Sequence, residues 1–182
     1  MDKMFETERL IIRKLRDEDA QKLYENHLDD EVRKWFPNEC YADVEEALDA
    51  ARFFADCVDN GHLPFVLGVE LKETGEAIGA IGYLPAPESE LPAREGEPLV
   101  GYWVGKPYWN QGICTEALEL MLEYIRETTD IKSLISSHYF DNPASGRVME
   151  KCGFVPTGET CIDEKLTGTT KPTRVMRWEI RR

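Results

Sequence analysis

Three consecutive segments restrict the fold of this 182-residue chain more than any other feature. Residues 99–104 (LVGYWV) and Ser133–Tyr139 (SLISSHY) are short β-rich runs. Between them, residues 112–127 repeat apolar positions at helical spacing, with Leu118, Met121, Leu122 and Ile125 on one face. Strand, amphipathic helix and strand in that order form a β–α–β unit. Its two strands lie parallel in one sheet, joined by a right-handed crossover.

The flanking sequence builds outward from this unit. Residues 8–15 (ERLIIRKL) suit a short strand, and Asp17, Glu18 and Asp19 open a helix by placing acid near its positive end. Residues 43–60 are helical, with Val44, Ala47, Leu48, Ala51 and Phe54 on one face and Gly61 as the stop. Two β-rich runs, 64–71 and 77–84, are joined by KETGE as a hairpin with Gly75 at the bend. Residues 85–98 hold four prolines and four glutamates, a loop long enough to suggest a functional flap. Pro143–Lys151 is a short helix with Asn142 as its N-cap, and strands at 154–162 and 173–180 make an antiparallel end. The expected fold is mixed α/β (α+β), one domain spanning 1–182.

Composition excludes several functions. A net charge of −13 argues against nucleic acid as partner, because phosphate contacts need clustered Lys and Arg, and suits a cationic acceptor instead. No apolar run approaches the roughly 20 residues that span a bilayer, and the charged N-terminus does not resemble a signal peptide. Cys40, Cys57, Cys114, Cys152 and Cys161 are scattered and odd in number, so neither a disulfide framework nor a zinc site is expected. A reducing cytoplasm is the simplest location, and no metal is implied.

The segment YWNQGICTEALELML, starting at Tyr108, raises the chemical question. Gly112 stands at the mouth of a helix with no Ser or Asp before it. The first turn of a helix leaves backbone N–H groups unpaired, so the amides around Gln111 to Thr115 converge on one point that can bind phosphate. Glycine and the small Cys114 leave room for a close approach. No Walker lysine and no G-x-G-x-x-G accompany it, so neither an NTP nor a dinucleotide is supported.

ERLIIRKL, then GYWVGKPYWNQGICTEAL, then DNPASGRVMEKCGFVPTGE resemble, in that order, the GCN5-related N-acetyltransferases (GNAT), most closely the branch that acetylates N-terminal residues of ribosomal proteins. The resemblance covers about residues 7–178. It implies a mostly antiparallel sheet with a splayed parallel strand pair and flanking helices, with acetyl-CoA as donor and CoA as product. It places the cofactor's pyrophosphate at Trp109, Asn110, Gln111, Gly112, Ile113, Cys114 and Thr115, and its pantetheine arm along Tyr102, Trp103 and Val104. Asn142 and Ser145 match positions near the pantetheine and sulfur, and Lys151 opens the closing K-x-G-F block. Cys114 departs from the usual Gly or Ala. Asn142 could equally serve only as a helix cap.

The implied reaction is attack of a neutral amine on the thioester carbonyl, with backbone N–H groups near Trp103 to Gly105 stabilising the oxyanion. Deprotonating a lysine side chain of pKa about 10.4 at pH 7 costs about 4 to 5 kcal/mol, and a peptide α-amine near 7.8 only about 1. Relatives often carry Glu where Leu99 stands and a general-acid Tyr where Met149 stands. The remaining candidates are Glu97 as base, with Glu95 near the acceptor, and Ser145 as the proton donor to sulfur. Trp35 and Phe36 could wall the amine site or belong to the core. His138 could contact the acceptor, whereas His27 and His62 read as surface positions.

Three functions stay open: acetylation of a protein's N-terminal α-amine; acetylation of a small amine such as a polyamine, amino acid or aminoglycoside; and a CoA-binding module without turnover. A monomer and a homodimer are equally compatible with the sequence.

Overall fold

The structure, a computed structural model, describes residues 3–35, 40–86, 91–162 and 171–180. Among the described residues, eight strands form one sheet in the order β1-β2-β3-β4-β5-β6-β8-β7. They are β1 (Lys3–Glu6), β2 (Leu10–Arg13), β3 (Phe65–Leu71), β4 (Glu76–Pro85), β5 (Pro98–Val104), β6 (Ser133–Tyr139), β7 (Val155–Cys161) and β8 (Thr173–Glu179). Every pairing is antiparallel except β5 with β6. The helices are α1 (Ala20–His27), α2 (Asp30–Arg33), α3 (Val44–Asn60), α4 (Ile113–Thr128) and α5 (Pro143–Lys151).

Local rules account for most of these elements. The Asp43 carboxylate accepts from the Glu46 amide to start α3, and Gly61 ends it in a left-handed conformation. Gly75 turns the β3–β4 hairpin at φ +71°. Asn142 caps α5 by accepting from the Ser145 amide, and Pro143 occupies the first helical position. Leu118, Met121, Leu122 and Ile125 are all buried under the sheet, worth about 2 kcal/mol apiece.

Three features differ from the sequence expectation. β1 is an additional edge strand, too short and charged to read by periodicity. α2 is a single helical turn capped by Asp29. The final strand β8 inserts between β6 and β7, an order that depends on which strand edge is free and not on local pattern. Arg13 points inward from β2 and is 1% exposed; Asp19 accepts two of its N–H groups at 2.7 and 2.8 Å, and Glu70 pairs with its Nε. This ion network ties the start of the α1 segment to the sheet.

The feature that positions the site is a break in the sheet. β5 and β6 pair only through Leu99 and Ile135. One side-chain bond follows, from Ser136 Oγ to the Val100 carbonyl at 2.9 Å. Beyond it the parallel strands separate.

Candidate active site

The gap between β5 and β6 opens into a cavity of about 530 Å3. Tyr102, His138, Asn142, Ser145 and Met149 line it on the α4–α5 face, while His27, Trp35, Tyr41, Phe54 and Trp103 line it on the α1–α3 face. The cavity therefore passes through the sheet.

Strand geometry fixes which backbone groups face it. Along a strand, successive residues direct their N–H and C=O to opposite sides. The Gly105 amide donates to the Ile78 carbonyl of β4 at 2.9 Å. By alternation, Gly101 and Trp103 also address β4, opposite Gly82 and Ala80. Val100, Tyr102 and Val104 face the gap, consistent with Val100 accepting from Ser136 and Val104 accepting from the Trp109 indole at 2.9 Å. Of the amides from Trp103 to Gly105, that of Val104 is therefore the one turned into the gap, its two neighbours being turned to β4.

At the far end of β5 the chain enters α4. Asn110 (φ +59°) and Gly112 (φ +79°) are both left-handed, with Gln111 between them. This winding lets Gly112 begin α4 without a side-chain cap, its carbonyl receiving the first helical bond from Glu116 at 3.0 Å. The amides of Ile113, Cys114 and Thr115 precede that bond and point outward from the positive end of a 16-residue helix. A Cβ on Gly112 would meet only Arg9, at 3.9 Å, so backbone conformation and not crowding demands glycine here. Arg9 lies beside the mouth, donating to the Gln111 carbonyl at 3.2 Å and paired with Glu116. Arg9 was not apparent as a site residue in the sequence, since it sits on β2's approach, about a hundred residues away.

The predicted residues of this segment divide by task. The Trp109 indole is committed to Val104, and Gln111 Nε2 donates to the Pro107 carbonyl at 2.8 Å, so both shape the loop with their side chains. Burial and the neighbouring Cys152 push the Cys114 thiol up to about 12, which keeps it protonated and unsuited to attack.

On the α5 side, Tyr102 reaches across the gap: its hydroxyl donates to the Ser145 carbonyl at 2.9 Å and lies 3.2 Å from Ser145 Oγ. Burial raises the Tyr102 pKa, so the phenol remains a proton carrier at neutral pH. His138 is buried, with Nδ1 3.0 Å from the Tyr139 carbonyl and its ring against Gly146. A Cβ at Gly146 would stand 2.7 Å from Nε2, so that glycine admits the ring.

The α1–α3 face is aromatic. His27 is 2% exposed and not the surface residue its sequence context suggests. Its ring lies 4.1 Å from that of Trp103 and 4.8 Å from that of Tyr41. Neither ring nitrogen has a hydrogen-bond partner among the described residues. Burial, aided by Arg33, lowers its pKa to about 4, so it is neutral at pH 7. The α1 pattern had hidden this, because α2 and Tyr41 fold over a residue at the helix end.

Glu97 is brought elsewhere. Its carboxylate is 5% exposed and accepts from the Arg94 amide at 3.0 Å and from Arg177 Nε at 2.9 Å. Burial works to raise its pKa, but these donors outweigh it and hold the carboxyl below its usual range. Glu97, Glu95 and Lys151 are not among the cavity walls, and Glu95 and Lys151 are exposed. Phe36 lies outside the described residues, as do parts of the 85–98 loop and of residues 164–172 (EKLTGTTKP), a segment the family resemblance places at the border of the acceptor site.

A split parallel pair with a bare helix mouth at the end of its first strand coincides with a family pattern. Residues 9–155 match the model of the acetyltransferase (GNAT) domain. The chain belongs to the GNAT acetyltransferases. It is 27% identical over 155 residues to the uncharacterized N-acetyltransferase YoaA of Bacillus subtilis, covering 85% of this chain and 84% of that one. Its fold is similar to that of ribosomal-protein-S5-alanine acetyltransferase from Vibrio fischeri (TM-score 0.79, 18% identity, 96% and 95% of the two chains). It is likewise similar to RimL, a ribosomal L7/L12 alpha-N-protein acetyltransferase solved with coenzyme A (TM-score 0.74, 19% identity, 96% of each chain).

As a GNAT enzyme the protein takes its acetyl group from acetyl-CoA. Its own residues suit that donor. The bare amides of Ile113 to Thr115 and the adjacent Arg9 can hold a pyrophosphate, and the Tyr102 backbone can pair with an amide-bearing arm as a missing strand would. Among the described residues, no helix is long and apolar enough to cross a membrane and no cluster of side chains could hold a metal ion.

Proposed function

We propose that this acetyltransferase acts on the N-terminal α-amine of a protein, in the cytoplasm. One observation carries the choice of acceptor: among the described residues, no unengaged carboxylate faces the cavity. Glu97 is held by Arg177, and the wall residue Glu46 accepts from the Ala42 amide at the start of α3. Without a strong base, the amine must be cheap to deprotonate. An α-amine loses its proton at pH 7 for about 1 kcal/mol, against about 4 to 5 for a lysine or polyamine nitrogen. The ribosomal-protein acetyltransferases among the fold neighbours support the same reading.

In this mechanism the neutral amine approaches from the α1–α3 face and attacks the thioester carbonyl within the gap. The Val104 amide stabilises the developing oxyanion, the C–N bond forms, and the C–S bond breaks. Ser145 Oγ supplies a proton to the leaving thiolate and regains one from water, with the Tyr102 hydroxyl 3.2 Å away positioning it. The amine's own proton leaves through water.

The test is CoA release, with mass spectrometry of products, against peptides beginning with Ser or Ala and against polyamines, amino acids and aminoglycosides. Acetylation of the peptides is expected; turnover confined to small amines would refute the reading. Ser145→Ala should lower kcat about 100-fold with little change in acetyl-CoA affinity. An unchanged kcat would remove Ser145 from proton transfer.

A further inference from the structure

At the rim of the acceptor face the protein holds one of its own primary amines. Trp35 and Tyr139, both cavity walls, lie 5.7 Å apart between ring centroids with their planes 30° apart. Lys171 Nζ stands 5.8 Å from each centroid and 3.3 Å from Asp141 Oδ2. Two aromatic faces and a carboxylate are the ingredients of an ammonium site. A second cation, Lys34 Nζ, lies 4.4 Å from the Trp35 centroid, so this indole already attracts positive charge.

We propose that Trp35, Tyr139 and Asp141 form a recognition corner for a cationic group of the acceptor, and that Lys171 fills it in the free protein as a built-in competitor. This rests on the acetyltransferase reading above and adds a preference to it. The group bound here is not the reacting amine, which must be neutral to attack. It is a second cation on the same acceptor: a basic side chain within the first residues of a protein, or the far ammonium of a polyamine.

Several physical features favour exchange over permanent closure. Lys171 and Asp141 are about half exposed, 46% and 52% by side chain, so their pairing is screened and easily traded. Replacing one cation by another leaves the charge of the corner unchanged and needs no new desolvation of Asp141. The net charge of −13 brings cationic acceptors to the surface, and the corner then selects among them.

The decisive experiment compares Ser-Ala-Lys-Ala-amide with its norleucine counterpart, Ser-Ala-Nle-Ala-amide, and with spermidine, in wild-type, Lys171→Met and Asp141→Asn proteins. Initial rates are paired with calorimetry of each probe on CoA-loaded protein, so binding is read without turnover. Wild type should favour the lysine peptide. Lys171→Met should raise kcat/KM for that peptide about threefold, the size of one exposed cation–π contact, while leaving the norleucine peptide unchanged. Asp141→Asn should erase the preference. The corner is overturned if Lys171→Met changes both peptides equally, if it changes neither peptide and leaves spermidine unaffected as well, or if no cationic probe binds more tightly than the norleucine peptide. Binding of the lysine peptide without acetylation would uphold the corner and refute the α-amine function. Acetylation of both peptides at equal efficiency in all three proteins, with spermidine binding equally to each, would do the reverse. Preference appearing only with spermidine would identify the far ammonium of a polyamine as the cation.

Discussion

Two regions of the candidate site are built from different materials. From the edge of β5 to the mouth of α4, which lies beyond the cavity walls, the site is backbone: the strand edge at Tyr102 and Val104, a left-handed pair at Asn110 and Gly112, and the outward amides that start α4. On the α1–α3 side it is side chains: His27, Trp35, Tyr41, Trp103 and Tyr139, drawn from five separate segments. A site made of backbone tolerates substitution wherever φ and ψ persist. In a site made of side chains, each residue can change alone.

The largest expected effect breaks the backbone end. Gly112→Glu places a negative charge where the helix amides converge, and it should weaken acetyl-CoA binding by about 100-fold, roughly 3 kcal/mol, in calorimetry. Gly112→Asn, which adopts a left-handed conformation at modest cost, should retain most of the affinity. Undiminished binding by the Glu variant would show that the helix mouth does not hold the pyrophosphate.

The next effect belongs to the side-chain end and is read by pH. His27 titrates near 4 when folded and near 6.5 when unfolded. Its folded pKa is depressed, so the unfolded chain takes up the proton first as pH falls. Stability is therefore unaffected above about 6.5 and is lost progressively down to about 4, by about 3 kcal/mol in total. His27→Leu should flatten this part of the stability curve in urea melts from pH 7 to pH 4. It should cost little at pH 7, because no hydrogen bond is removed. An unaltered acid slope would contradict the buried neutral ring.

The smallest effect tests a group outside both ends. Glu97→Gln weakens the bridge from the 85–98 loop to Arg177 of β8, and it should cost about 1 kcal/mol of stability. Turnover per folded molecule should stay within about twofold of wild type. A collapse of kcat with stability intact would restore Glu97 as the base.

The contrast also explains what could be read from the chain. The β–α–β unit, the α3 and α5 caps and the hairpin at Gly75 follow from short-range spacing, because helix and turn geometry repeat within a few residues. The helix mouth was legible for the same reason, since Gly112 and the amides after it are neighbours in sequence, although the positive φ that demands glycine there is seen only in the structure. Arg9, His27 and the engagement of Glu97 were not, because each depends on a partner 80 to 107 residues away or on elements folding over it.

By itself, then, the sequence determined the strand–helix–strand order of the crossover and the start of α4 at Gly112, since both arise from local φ, ψ and hydrophobic period. Only the tertiary structure decided that β8 lies between β6 and β7, that the Val104 amide is the one turned into the gap, and that Lys171 meets Trp35 and Tyr139. Those outcomes depend on strand order and register. A strand edge or a side chain acquires its partner only when distant segments close on one another.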